Sequence, residues 1–411
     1  MSRPSAPGAD RPPARARRRP RPTLLLAPAT FFEGYDTFVL ALALPLIRRD
    51  FGLTVGQSGL MVSVVFAGSF GVFALLPLAD RIGRRPVLAV TIAGYTVATF
   101  ATAFSRGVAD FVAYQFVARF FLSAEYTLAT IVMVETAERG RRGRALGLLT
   151  STSALGQAGA GAGFLIVLAL HASWRLLYLV GIVPLILVAR ARRDLPETAP
   201  PAAERHAAIR AVRRRWAVGA TALAFLFALF PTAVTTLAST LVLDRWHLSV
   251  SDLRPWHFLV WLVVVSGFFV AGRMLDRWGR RPTSMLFLAA ATAAEAFAFT
   301  VTSTPARVLG LALVIFTLTG ATPCVAAYST ELFPAGARGR VGAWLRGMSI
   351  AGQAAAPALT TVLAGPLGGL GVALAVVGSS YAVGAAVVFF LLPETRGWDR
   401  EPPPPTTAAV G

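Results

Sequence analysis

The two halves of the chain carry the same motifs at the same spacing. The run Asp-Arg-x-Gly-Arg-Arg-Pro begins at Asp80 and again at Asp276, 196 positions later. The same shift relates Glu135 and Arg142-Gly143-Arg144 to Glu331 and Arg338-Gly339-Arg340, and Gly156-Gln157 to Gly352-Gln353. Separated segments that keep one offset indicate internal duplication. We therefore expect two copies of one unit of about 200 residues.

The composition predicts that both copies lie in a membrane. Hydrophobic residues make up 55% of the 411 positions, which exceeds what a soluble core of this size needs. Twelve apolar stretches are long enough to cross a hydrocarbon layer of about 30 Å. They lie at 23–47, 57–79, 86–105, 108–133, 145–170, 173–190, 217–242, 255–275, 283–304, 307–330, 341–364 and 370–392. We number these predicted spans 1 to 12.

The expected fold is an all-α membrane protein with twelve transmembrane helices in two pseudo-symmetric halves of six helices each. The predicted boundaries are a basic segment at 1–22, a first half at 23–190, a polar linker at 191–216, a second half at 217–392 and a tail at 393–411. The apolar stretch after the basic start is too long for the core of a secretory signal, so we interpret it as span 1.

The distribution of charge sets the expected orientation. The net charge is +19, and all 39 basic residues are arginine. Of these, 28 lie in the start, the tail and the loops after spans 2, 4, 6, 8 and 10, whereas seven lie in or near the loops on the opposite side. This bias predicts cytoplasmic termini in the plasma (inner) membrane, with the lipid bilayer as the partner of the basic segments. It excludes the nucleic-acid surface that the net charge alone would suggest.

The repeated motifs resemble those of the major facilitator superfamily of twelve-span transporters. The marks are the Asp-Arg-x-Gly-Arg-Arg loops, the Glu-x6-Arg-Gly loops, and Pro-Glu-Thr at Pro196 and again at Pro393, and the resemblance covers nearly the whole chain. One departure is that the family places glycine four residues before the motif aspartate. Gly272 follows this pattern, but Leu76 does not.

The resemblance implies that the loop charges close the cytoplasmic face. We expect Asp80 to pair with Arg338, Arg84 with Glu135, Asp276 with Arg142 and Arg280 with Glu331, in a cluster between the halves. The predicted gating residues are Asp80, Arg81, Gly83, Arg84, Glu135, Arg142, Asp276, Arg277, Gly279, Arg280, Glu331 and Arg338. The alternative is that these charges only set topology, although acids contribute little to topology.

Charged residues inside the spans predict a polar cavity, because they are costly in hydrocarbon. Glu33 and Asp36 share one face of span 1, in a run that resembles the Asp-Gly-x-Asp of aromatic-acid:proton symporters. Arg119 shares a face of span 4 with Gln115, Ser123 and Tyr126. The predicted proton-coupling and substrate residues are Glu33, Asp36, Arg119, Glu125, Tyr126, Gln157 and Gln353.

Structural interpretations stay open for several of these residues. Glu33 and Asp36 could be neutralised by hydrogen bonds, and Arg119 could be the structural partner of one of them. Glu125 lies on a different face of span 4 from Arg119. A structural role is favoured for Arg346, which is near enough to the cytoplasm to extend into water. The same role is favoured for Glu295, because the superfamily usually packs span 9 at the periphery.

Enzyme functions find no support in the sequence. The four histidines form no metal-ligand pair and partner no nucleophile, and no Gly-Lys-Ser/Thr phosphate loop is present. We therefore expect no enzyme activity, no metal and no cofactor. Energy must come from a gradient, and a buried carboxylate can carry a proton between the two sides.

The predicted function is proton-coupled secondary transport of a small organic metabolite by alternating access, with an organic acid as the favoured substrate and a monomer as the working unit. The alternative is a proton-driven drug or metabolite efflux antiporter. Span 5 lacks the Gly-Pro pair that exporters of the superfamily often carry, which favours the first function. A non-transporting sensor is a third hypothesis, and the retained loops and intramembrane acids disfavour it.

Overall fold

The computed structural model describes residues 22–136, 142–180, 214–241, 257–333 and 335–396. Helices and their connections account for these residues, and the described ranges contain no β-strand. The first half contains α1 (Pro22–Asp50), α2 (Val55–Ala67), α3 (Val72–Ile82), α4 (Arg84–Thr102), α5 (Val108–Thr136), α6 (Arg142–Ala169) and α7 (Arg175–Val180). The second contains α8 (Arg214–Thr240), α9 (His257–Trp278), α10 (Arg280–Thr300), α11 (Thr304–Glu331), α12 (Ala335–Ala364), α13 (Leu370–Gly378) and α14 (Ser380–Leu391).

Each predicted span overlaps at least one described helix, and α7 is the described helix of span 6. Span 2 is formed by α2 and α3, joined by one 3₁₀ turn at Gly68–Gly71, and span 12 is formed by α13 and α14. Seven of the described helical runs are long and apolar enough to cross a membrane. The linker predicted at 191–216 lies mostly outside the described residues, and so does most of the tail. The all-α membrane fold with two sets of six helices is thus confirmed.

Equivalent glycines form the tight turns of the two repeated loops. Gly83 separates α3 from α4 with φ of 98°, and Gly279 separates α9 from α10 with φ of 98°. A side chain strains this left-handed region, so both copies of the motif require glycine there. We call the end of the bundle that carries Gly83 and Gly279 the motif end, and the opposite end the far end.

A second pair of equivalent glycines brings helices together within each half. A Cβ atom on Gly156 of α6 would lie 1.8 Å from the Phe31 carbonyl oxygen of α1. A Cβ atom on Gly352 of α12 would lie 2.4 Å from the Phe225 carbonyl oxygen of α8. The absence of a side chain therefore sets the distance between spans 5 and 1 and, in the same way, between spans 11 and 7.

The halves contact each other along span 2 and α12. Gly59 packs against Thr361, and the Ala358 N–H donates a hydrogen bond of 2.9 Å to Ser63 Oγ. Nearer the motif end, Gly347 leaves room for the Phe73 ring. The spans therefore run antiparallel in close contact. The glycines that permit this contact are Gly59 and Gly347, so the departure at Leu76 does not prevent the approach.

Candidate functional site

A cavity of about 310 Å³ lies between the two halves in the middle of the bundle. Five of the predicted site residues line it, and they are Glu33, Arg119, Tyr126, Gln157 and Gln353. The other lining residues are Thr37, Phe66, Ser69, Leu122, Ser123, Ser153, Pro231, Thr232, Thr235 and Arg346. The volume lies in the range of small-molecule sites, and the lining combines apolar groups with several polar ones. We call this the central cavity.

Arg119 and Asp36 form a buried charged pair on one wall of the central cavity. Arg119 Nη2 lies 3.9 Å from Asp36 Oδ2, and the side chains are only 6% and 1% exposed. Arg119 Nη1 also donates to Thr37 Oγ1 at 3.0 Å, and the guanidinium carbon lies 4.7 Å from the centre of the Phe66 ring. Arg119 lines the cavity, whereas Asp36 is not part of the cavity wall and lies behind Arg119. The arginine therefore separates the aspartate from the cavity.

The other acid of span 1 has a different environment. Glu33 lines the central cavity, and its Oε2 accepts a hydrogen bond of 2.9 Å from Ser153 Oγ on α6. The contact depends on Gly34, because a Cβ atom there would lie 2.0 Å from the Ser153 carbonyl oxygen. The two acids lie on one side of α1, as the sequence predicts, but they make separate contacts.

Each half contributes one arginine to the central cavity. Arg119 comes from α5, and Arg346 comes from α12 on the opposite side. The sequence favours a structural role for Arg346 near the aqueous boundary, but the structure places it on the cavity wall. Two guanidinium groups beside hydroxyl and amide groups can bind a carboxylate through charge-assisted hydrogen bonds.

Some predicted cavity residues do not line the cavity. Glu125 is buried on α5 but is not part of the cavity wall. Gln115 is also buried, and its Nε2 donates a hydrogen bond of 3.0 Å to Thr102 Oγ1 of α4. Of the four residues predicted to share a face of span 4, only Arg119, Ser123 and Tyr126 therefore line the cavity.

Sequence reasoning missed Ser153, Thr232 and Thr235. Ser153 precedes Gln157 by one helical turn, and this spacing could have identified it. No comparable signal marks the two threonines.

Glu295 is another buried acid, and it lies on α10 in the second half. It is 1% exposed on α10, and neither carboxylate oxygen has a hydrogen-bond partner among the described residues. Its Oε2 occupies the space beside Gly378, where a Cβ atom would lie 1.8 Å away. It lies between helices, and the structural role that the sequence favours for it stays a prediction.

The motif loop of the second half contains a network of charges. Arg280 and Glu331 form an ion pair of 2.8 Å, as predicted. Glu394, in the second Pro-Glu-Thr motif, accepts hydrogen bonds from the backbone N–H groups of Arg280 and Arg281 at 2.8 and 2.9 Å. Thr395 Oγ1 donates to Glu331. The tail motif thus caps the positive end of α10 and joins it to α11.

The motif loop of the first half is only partly described. Asp80 Oδ1 lies 4.0 Å from Arg84 Nη2 in the next turn. The side chains of Glu135, Arg142 and Arg338 lie outside the described residues, and so do the three predicted pairings that involve them. Arg81, Asp276 and Arg277 are exposed, and their gating role stays a prediction.

Comparison with known proteins places this geometry in context. A family model described as Major Facilitator Superfamily matches residues 26–320 and 224–410. The fold is similar to the inward open conformation of the xylose transporter XylE from E. coli, with a TM-score of 0.73 and 15% identity over 91% of this chain and 96% of that one.

Curated relatives match most of the chain. The niacin transporter NiaP of Acinetobacter baylyi is 26% identical over 80% of this chain and 84% of its own length. The cis,cis-muconate transport protein of the same organism is 24% identical over 90% of this chain and 93% of its own length. A probable 4-methylmuconolactone transporter of Cupriavidus pinatubonensis is 26% identical over 89% of this chain and 88% of its own length.

Proposed function

Because the chain belongs to the Major Facilitator Superfamily and is a membrane transporter, not an enzyme, we propose that it carries a small organic acid by proton-coupled alternating access. The observation that carries this proposal is the buried Asp36–Arg119 pair at the wall of the central cavity. The pair supplies a group that can hold a proton and a group that can bind an anion, in contact with each other.

The central cavity supports an organic acid as the substrate class. Arg119 and Arg346 face it from opposite halves, so one carboxylated molecule can contact both halves at once. Such a ligand stabilises the arrangement in which the halves approach, which is what an alternating-access cycle requires of its substrate. The names of the relatives above, for niacin and for cis,cis-muconate, agree with this class.

The proposed coupling uses competition for Arg119. An ionised Asp36 attracts the guanidinium group, whereas a protonated Asp36 releases it to bind the substrate carboxylate. Proton binding then favours substrate binding, which couples the two movements. Glu33 lines the central cavity and accepts a hydrogen bond from Ser153, and we assign it a role in substrate contact.

We further propose the orientation that the arginine distribution predicts, in the plasma membrane and as a monomer. The motif end, with both termini and the central linker, then faces the cytoplasm. A tag inserted after Ala202 should be inaccessible to an impermeant reagent in intact cells, whereas a tag after Asp252 should be labelled. Labelling of the Ala202 tag from outside would contradict this orientation.

Reconstitution tests the function directly. Purified protein in liposomes with an imposed pH gradient should accumulate labelled nicotinate or cis,cis-muconate when the interior is the more alkaline side. A carboxamide analogue, nicotinamide, is the matched neutral control and should not accumulate. Accumulation only when the interior is the more acidic side, so that substrate enters as protons leave, would favour the efflux antiporter. Absence of gradient-driven movement of either acid would contradict the proposal for these substrates.

A further inference from the structure

A proline interrupts the hydrogen bonding of α8 beside the central cavity. Pro231 lies inside this helix and lines the cavity together with Thr232 and Thr235. Proline has no backbone N–H, so the Phe227 carbonyl, four residues earlier, loses the hydrogen bond that a regular α-helix gives it. A carbonyl without a partner is costly inside a membrane, because no water is there to replace the lost donor. We call residues 226–235 the proline turn, and its backbone needs a donor from outside.

Two hydroxyl groups at the start of α14 donate to the proline turn. Tyr381 Oη donates to the Phe227 carbonyl at 3.4 Å, and Ser380 Oγ donates to the Leu226 carbonyl at 3.2 Å. The Tyr381 side chain is buried, and its ring stacks on the Phe227 ring with the ring centres 5.4 Å apart. Both hydrogen bonds are long for hydroxyl donors, and the ring contact fixes where the Tyr381 hydroxyl lies. The tyrosine therefore contacts Phe227 through both its backbone and its side chain.

The threonines of the proline turn use their own hydroxyls elsewhere. Thr232 Oγ1 donates to the Ala228 carbonyl at 3.0 Å, and Thr235 Oγ1 donates to the Pro231 carbonyl at 2.7 Å. Each hydroxyl has one proton to donate, so neither threonine is available to the Phe227 carbonyl. In the described part of the chain, that carbonyl depends on the tyrosine of α14 for a side-chain donor.

The first half joins its first and last spans in the opposite direction. Phe31 and Phe225 are equivalent residues, because their carbonyls face the equivalent glycines of α6 and α12. Thr37 and Pro231 each lie six residues further along, and both line the central cavity. In the first half the tyrosine is on span 1, where Tyr35 Oη donates to a carbonyl of α7 at 2.9 Å. In the second half the tyrosine is on the last span, where it faces the carbonyl that the proline frees.

We propose that Tyr381 is a positioning residue for substrate binding. By holding the proline turn through the Phe227 carbonyl, it sets where Thr232 and Thr235 lie on the wall of the central cavity. Tyr381 is not part of that wall, so its effect passes through α8. The proposal rests on the proposed function, because the ligand is the organic acid bound in the cavity. Without the hydroxyl the proline turn relaxes, and the cavity no longer matches the acid as closely.

Equilibrium binding of nicotinate to the full-length protein in lipid nanodiscs tests this role. Tyr381→Phe keeps the aromatic ring and its stacking but removes the donor, so it should weaken binding by about fivefold. Tyr178→Phe is the matched control, because Tyr178 is buried and its hydroxyl has no hydrogen-bond partner in the described parts of the chain. The control should bind like the parental protein. Parental affinity in Tyr381→Phe would overturn the proposal.

A second substitution, Pro231→Ala, tests whether Tyr381 acts through the proline turn. The alanine N–H can pair with the Phe227 carbonyl inside α8, so the tyrosine hydroxyl is no longer needed there. Relative to Pro231→Ala alone, the double variant with Tyr381→Phe should change nicotinate affinity by less than about twofold. An equal loss of affinity in both backgrounds would show that Tyr381 acts independently of the proline, and it would overturn the proposal.

Thermal unfolding without ligand separates this proposal from the proposed function. Tyr381→Phe should lower the melting temperature in the parental background but not in the Pro231→Ala background, because only the proline leaves the carbonyl unpaired. Equal melting temperatures for Tyr381→Phe and the parental protein would overturn the contact with the proline turn. A parental protein that does not bind nicotinate would instead contradict the proposed function for this substrate, and the melting temperatures would still decide on the contact.

Discussion

Arg119 on α5 and Asp36 on α1 face each other inside the first half, with Nη2 and Oδ2 3.9 Å apart. The distance is longer than a hydrogen bond, and neither atom has a hydrogen-bond partner in the described part of the chain. Both are therefore available to form new contacts. A small movement of α5 toward α1, or a proton on Asp36, changes the interaction directly.

The first prediction concerns Asp36. Asp36→Asn fixes a neutral side chain of the same shape, so Arg119 stays available to substrate regardless of pH. Accumulation driven by a pH gradient should be abolished, while exchange of labelled for unlabelled substrate across the liposome membrane should continue. Glu125→Gln is the companion variant, because Glu125 is another predicted coupling acid that is buried away from the cavity wall. Gradient-driven accumulation by Asp36→Asn would show that the proton is carried elsewhere.

The second prediction concerns the arginines of the central cavity. Arg346→Gln should weaken binding of nicotinate by about tenfold or more, because a charge-assisted hydrogen bond to a carboxylate contributes about 1.5–3 kcal/mol. Arg273→Gln, which removes an exposed arginine stacked on Phe269, should bind normally. Isothermal titration of the purified variants measures this difference. Equal affinity for both variants would exclude Arg346 from the substrate site.

The third prediction concerns the glycine that brings α6 to α1. Gly156→Ala places a methyl group against the Phe31 carbonyl, so α6 must move away from α1. We expect a loss of about 1–3 kcal/mol in stability and a distorted cavity. Gly161→Ala on the same helix is the control, because no atom lies within 4 Å of its added Cβ. Thermal unfolding of the detergent-purified variants should show a lower melting temperature for Gly156→Ala and an unchanged one for Gly161→Ala.

The fourth prediction concerns the tail motif. Glu394→Gln removes the negative charge that caps α10 and should cost about 1 kcal/mol, because helix N-termini favour anions by that order. Glu197→Gln changes the equivalent position of the first repeat, and the duplication predicts a similar loss. Thermal unfolding measures both. An unchanged melting temperature for Glu394→Gln would show that its backbone contacts contribute little.

The fifth prediction concerns the repeated loop aspartates. Asp80 and Asp276 are exposed, so Asp80→Asn and Asp276→Asn should leave stability nearly unchanged. If these acids act between the halves during the cycle, both variants should transport more slowly. The comparison of transport rate with melting temperature separates the two effects. Transport at the parental rate by both variants would contradict the gating role and leave topology as the function of these loop charges.

The repeated motifs made much of the architecture accessible from the sequence. Gly83 and Gly279 predict turns because only glycine tolerates their shared φ of 98°, and the predicted Arg280–Glu331 pair is present. Gln157 and Gln353 line the cavity because each follows a glycine that draws its helix inward. Helical spacing, in contrast, did not decide which face of span 4 lines the cavity. It placed Gln115 on the same face as Arg119, although the Gln115 side chain donates its hydrogen bond to Thr102 of α4.

The sequence by itself determined the duplicated unit, the twelve apolar spans and the charged residues that must avoid lipid, because these depend on length, hydropathy and spacing along one chain. Only the tertiary structure decided which charges meet. Arg346 reaches the central cavity because helices distant in sequence pack against each other at glycine contacts. The distance between side chains on different helices follows from that packing, and local sequence patterns contain no measure of it.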